Sequence, residues 1–161
     1  MSHIITQSLE QLVKIHEDLL AVSNEKTRTV KEGSIDHLQS LLVRERKLIR
    51  LLEQAESKRK ISVEALCKAN DMAVEDATIT NILQQVKNEA EQVKMENAAI
   101  KLTAVITKLK QQEQLNQVLI SQSMQFVQIS LELMSPTLKS MNYGVKSEAD
   151  TSSRSVFDSK A

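Results

Sequence analysis

Residues 30–42 read Val-Lys-Glu-Gly-Ser-Ile-Asp-His-Leu-Gln-Ser-Leu-Leu, and the Gly33-Ser34 pair inside them decides the fold. Glycine suits the left-handed position that closes a helix, and serine suits the N-cap that opens the next. A connection this tight folds the second helix back on the first, so the segment predicts an antiparallel hairpin. Upstream, alternating steps of four and three join Ile5, Leu9, Leu12, His16, Leu19, Ser23, Lys26 and Val30, with Val13 and Leu20 widening the stripe. That spacing is the seam of a coiled coil. Downstream, from about Ile35 to Asn70, the stripe is Leu38, Leu41, Leu42, Glu45, Leu48, Ile49, Leu52, Ala55, Val63 and Leu66. His16, Lys26 and Glu45 place polar groups in the seam. His16 is considered as a partner for Glu45, although Glu45 falls nearer the turn.

Beyond Asn70 the pattern weakens, and Ala69–Thr80 reads as a loop with Thr78 or Thr80 capping the next helix. From Ile79 to Met134 there is neither glycine nor proline, which predicts one long helix or two nearly continuous ones. Its first half carries a narrow stripe of Ile79, Ile82, Leu83, Val86, Ala90, Val93, Asn97, Ile100 and Ala104. A drift of phase near Leu102 brings in Val105, Ile106 and Leu109. From Leu115 onward the apolar residues no longer fit one stripe. Leu115, Leu119, Phe126, Ile129 and Leu133 share one face; Ile120, Met124, Val127, Leu131 and Met134 share another. A helix apolar on most sides must be covered on most sides. Two preceding helices cover one face, so the surplus implies a partner.

After Ser135-Pro136 the periodicity fails, and 137–161 read as a disordered tail. The whole is an all-α, elongated three-helix bundle: an antiparallel coiled-coil-like hairpin plus a long third helix. The helical domain spans 1–136, with helices at about 3–32, 35–70 and 79–134.

Composition excludes several functions. With two glycines in 161 residues there is no phosphate-cradling loop. The histidines, His3, His16 and His37, are scattered, and no Glu-x-x-His motif occurs, so neither a catalytic relay nor a metal or cofactor site is expected. The chain is not expected to be an enzyme. Lys plus Arg and Asp plus Glu number 21 each, and aromatics are 2%. That balance argues against nucleic acid, which usually demands a basic excess and stacking rings. The basic residues around Arg44–Lys60 read as a solvated surface with short-range ion pairs. Lone Cys67 fits a small hydrophobe in a reducing compartment. No apolar run approaches the roughly 20 residues a membrane span needs. No secretory signal opens the chain, so a soluble, cytoplasmic protein is expected.

The C-terminal third carries a resemblance. Leu115-Asn116-Gln117-Val118-Leu119-Ile120, Ser123-Met124-Gln125-Phe126-Val127 and Leu131-Glu132-Leu133-Met134 resemble the Leu-Asn-x-x-Leu-Leu segment and apolar helix of FlgN-type flagellar export chaperones. Asn142-Tyr143-Gly144, the polar end Phe157-Asp158-Ser159-Lys160-Ala161, and the Gly33 hairpin are similar to the same family. The resemblance implies a chaperone that binds the C-terminal helical region of the hook-associated proteins FlgK and FlgL, prevents premature assembly and delivers them to the export gate protein FlhA. It implies client contacts at Leu115, Asn116, Leu119, Ile120, Met124, Phe126, Val127, Leu131 and Met134, and a gate contact at Tyr143. Other readings stay open. Phe126 is either a client contact or a cap on the bundle core, and Asn116 either a client contact or a polar register residue. Tyr143 and Phe157 are either partner contacts or idle. The alternatives for the whole chain are a coiled coil that forms a homodimer through the exposed apolar helix, or a chaperone for another type III substrate.

Overall fold

A computed structural model describes the backbone of residues 1–146 and the side chains of residues 1–134. Among the described residues the elements are helices α1 (Ser2–Glu32), α2 (Ile35–Ala69), α3 (Ile79–Gln85) and α4 (Glu89–Lys146), with a single 3-10 turn at Val74–Asp76. No strand occurs among them. The described residues divide into two units, Met1–Leu119 and the part of α4 from Ile120 onward.

The α1–α2 turn forms as the sequence predicts. Gly33 takes φ 70° and ψ 22°, and its N–H bonds to Val30 O while the Ser34 N–H reaches Thr29 O. These bonds satisfy carbonyls that the helix end would leave bare. Ser34 occupies the N-cap of α2 without a side-chain capping bond. Thr78 does cap α3, its hydroxyl oxygen accepting from Asn81 N–H.

In the first unit α1 packs against both α2 and α4. One layer joins Ile5 and Leu9 with Val63, Leu66 and Cys67 of α2, Ile82 of α3, and Met95 and Ala98 of α4. The next joins Leu12, Ile15 and Leu19 with Ala55, and with half-buried Leu48, Leu52, Leu102 and Leu109. As α1 numbers rise, α2 numbers fall and α4 numbers rise, so α2 is antiparallel to α1 and α4 is parallel. Being covered on two sides, α1 buries more than one seam: Ile15 and Val22, absent from the predicted stripe, are 6% and 0% exposed. Cys67 is a buried free thiol in the apolar core.

The third segment resolves one open alternative and departs from two expectations. First, of one long helix or two nearly continuous ones the structure has two, with the break at Val86–Asn88 and α4 continuous through Leu102. Val86 leaves the helix with ψ 112°, and Asn88 Oδ1 accepts from the N–H groups of Ala90 and Glu91, starting α4 with an N-cap. Gln92 Nε2 donates to Leu83 O across the break. Second, the inward stripe of α4 is buried Met95, Ala98 and Val105 with half-buried Leu102, continuing through half-buried Leu109 and Gln112 to buried Asn116. The predicted members Val93 and Ile100 are 54% and 60% exposed instead. This buried seam runs from Met95 to Asn116 without a drift of phase. Third, α4 does not end at Met134. A single proline removes one N–H from a 58-residue helix and leaves the bonds on either side, so the helix passes Pro136 to Lys146. The tail expected from residue 137 therefore starts no earlier than 147. Residues 147–161, with Phe157, lie outside the described residues.

Candidate functional site

The expected contact residues divide between the two units. Leu115, Asn116 and Leu119 belong to the first, and the others to the second.

In the first unit the core changes from apolar to polar as α1 approaches its C-terminus. Asn116 is 1% exposed, and its Nδ2 donates to Ser23 O at 2.9 Å and Ser23 Oγ at 3.0 Å. Thr27 Oγ1 donates to Asn116 Oδ1 at 2.5 Å and in turn accepts from Gln112 Nε2. Every polar atom of the Asn116 amide group is thus engaged inside the bundle. This corrects the client-contact reading of Asn116: the side chain is a register residue, inaccessible to a partner in this arrangement. Leu115 is 45% exposed and Leu119 is half-buried.

Beside this layer lies the ion-paired group Lys26, Glu45 and Glu113. The Lys26 side chain is 7% exposed, with Nζ 2.7 Å from Glu45 Oε2 and 3.1 Å from Glu113 Oε1. The Glu45 approach is short but lacks the alignment of a hydrogen bond, and Glu45 Oε2 has no other partner. Burial pulls the Lys26 pKa down, but the contacts with Glu45 and Glu113 outweigh it, and the group sits above its ordinary 10.5. Glu45 therefore pairs with Lys26. His16 instead turns back on its own helix, with Nδ1 2.7 Å from Leu12 O.

The second unit has a different character. Over Ile120–Met134 the only ionisable side chain is Glu132. Exposure is 68% for Met124, 72% for Phe126 and 75% for Leu133. Ile120, Val127, Ile129, Leu131 and Met134 are exposed as well. Val118, Ile129 and Leu133 were not among the expected contact residues, yet they are as exposed as those that were. Their signal was present in the sequence: Ile129 and Leu133 share the face of Leu115, Leu119 and Phe126, and Val118 is an apolar residue off both faces. Tyr143 falls in the part of α4 where only the backbone is described.

The described residues present little other chemistry. No helix is long and apolar enough to cross a membrane. No group of three or more His, Cys, Asp or Glu gathers at metal-ligand distance. On α2, Arg59 pairs with Glu56 at 2.5 Å, and Arg44 reaches Glu25 of α1 at 4.0 Å.

Comparison with known proteins bears on this surface. The family model described as FlgN protein matches residues 1–151. An uncharacterized protein of Bacillus subtilis (strain 168), YvyG, is 31% identical over 160 residues, covering 98% of this chain and 97% of its own. No solved structure matches the chain.

Proposed function

The chain belongs to the FlgN family of flagellar export chaperones, and from that premise we propose that it binds the C-terminal helical region of the hook-associated proteins FlgK and FlgL through Ile120–Met134. Binding there keeps these clients from assembling early. It takes place in the cytoplasm, before delivery to the export gate protein FlhA, which docks at Tyr143.

One observation carries the reading: Ile120–Met134 is apolar on most sides of the helix, with eight large apolar side chains each at least 37% exposed. An amphipathic client helix in an assembly-prone segment is the partner such a surface fits. The magnitude is adequate. Completing the burial of eight such side chains yields about 8–12 kcal/mol gross at roughly 1.5–3 kcal/mol for each full burial. Association costs of about 4–15 kcal/mol absorb most of that, leaving a specific but reversible complex. Met124 and Met134 are flexible and polarisable, which suits one surface to two different clients.

Co-purification tests the reading. The full chain should capture purified FlgK and FlgL, and a Met124→Asp/Phe126→Asp variant should lose both without any change in thermal unfolding. These positions are preferable to truncation after Gln114, which would also remove Asn116 from the core of the first unit. Undiminished capture by the variant refutes the proposed surface. Capture of another flagellar substrate but neither of these two refutes the client assignment.

A further inference from the structure

The stripe Ala90, Val93, Asn97, Ile100 and Ala104 of α4 was read as core, yet all five residues are exposed. Their spacing is nevertheless that of a coiled-coil seam, alternating three and four. At about 100° per residue they are centred about 140° around α4 from Met95, Ala98, Leu102 and Val105. The helix thus carries two separate seams, one packed into the core of the first unit and one exposed. We propose that a second copy of this chain covers the exposed seam, as a parallel, in-register α4–α4 pair centred on Asn97.

The charges flanking the seam choose the occupant and its direction. With Ala90, Asn97 and Ala104 at heptad position a, and Val93 and Ile100 at d, position g holds Glu89 and Glu96 while position e holds Lys94, Lys101 and Lys108. In a parallel pair each g residue faces the e residue five positions on in the other chain. Glu89 then meets the second copy's Lys94, and Glu96 the second copy's Lys101, each twice by symmetry. An antiparallel pair would instead set glutamates against glutamates and lysines against lysines. Among the described residues, none of Glu89, Lys94, Glu96 or Lys101 has an ion-pair partner within the chain. Lys94, Asn97 and Lys101 do border a groove with Glu10, Lys14 and Glu17 of α1, but Lys94 and Lys101 close no ion pair there, so one edge of the exposed seam runs beside α1. Asn97 supplies the register. An asparagine at one a position is best satisfied by its own counterpart, which holds two parallel strands in register at a cost in affinity. With alanines in the other a positions the seam is thin, so the dimer is weak and reversible.

Sedimentation equilibrium of the full chain from about 10 to 1,000 µM tests this, that range being where a small interface associates. Mass should rise toward the dimer. Ile100→Asp, at an exposed position that leaves the first unit folded, should hold the chain monomeric. Glu96→Lys or Lys101→Glu should each weaken association by about tenfold, and the double exchange should restore it to within about threefold. Asn97→Cys should form an inter-chain disulfide under mild oxidation, with buried Cys67 not participating. A chain that stays monomeric throughout overturns the proposal. So does a dimer that ignores Ile100→Asp and the charge exchange but is lost in Phe126→Asp, which assigns self-association to the apolar surface of the second unit.

Discussion

Lys26→Met is the sharpest test of the polar layer. Methionine keeps most of the lysine stem and its packing, so the change removes mainly the charge. Glu45 and Glu113, now 2.7 and 3.1 Å from that ammonium, would be left facing each other without a cation. Removing one member of a fully buried ion pair costs about 3–5 kcal/mol. Here the side chains of Glu45 and Glu113 are 21% and 39% exposed, so water relieves part of the repulsion. The expected loss is about 2–3 kcal/mol, or about 5–10 °C in melting temperature for a domain of this size. Urea unfolding followed by circular dichroism at fixed pH measures it. Adding Glu45→Gln and Glu113→Gln to Lys26→Met should recover at least half of the loss, because the uncompensated charges are then gone. The pH dependence has a definite sign. The Lys26 pKa lies above 10.5, so its contribution is fully present below about pH 10.5 and fades as pH rises through the folded value. The gap between wild type and variant should be flat from neutrality to that point and narrow above it. A loss below about 0.5 kcal/mol, or a triple variant no more stable than Lys26→Met, would refute the argument.

Three further outcomes follow from the same structure. Gly33→Ala should cost about 1 kcal/mol by urea unfolding, with Gly33→Asn milder: φ is 70° there and no atom lies within 4 Å of an added Cβ, so the penalty is conformational alone. Asn116→Ala should lower stability by about 2–3 kcal/mol, because Thr27 and Ser23 lose their buried partner. Its client capture should fall only with the folded fraction; specific loss of capture by a fully folded variant would restore the client-contact reading. Tyr143→Ala should leave co-purification with FlgK intact and reduce FlgK secretion. Loss of both would mean that the client and gate contacts are not separate.

The local rules of the chain were legible without coordinates. Gly33 announced a helix end, and Thr78 or Thr80 a helix start, because their conformational and hydrogen-bonding preferences act within a few residues. The seam Ile5, Leu9, Leu12, Leu19 and Lys26 was readable because period and polarity are properties of one helix. The apolar excess of Ile120–Met134 was visible for the same reason. A surplus of apolar residues over available partners can be counted before any partner is placed.

What tertiary structure decided was which of two equivalent-looking faces is filled. On α4, Ala90, Val93, Asn97, Ile100 and Ala104 keep the same alternating three-four spacing as Met95, Ala98, Leu102 and Val105, so spacing alone does not choose between them. Only the position of α1 and α2 selects the latter, because burial is a property of neighbours and not of sequence spacing. The same holds for Asn116, which as a string element is a surface polar residue or a register residue alike. Its burial comes from Ser23 and Thr27 of α1, distant in sequence, which close around it, while Gln112 one turn earlier on α4 donates to Thr27. Glu45 likewise found Lys26 and not His16 because the antiparallel register about Gly33 sets the cross-helix distances. Periodicity thus established how many seams the helices carry. The packing of α1 against α2 and α4 determined which seams are closed and which remain open to other molecules, since only three-dimensional contact removes a side chain from water.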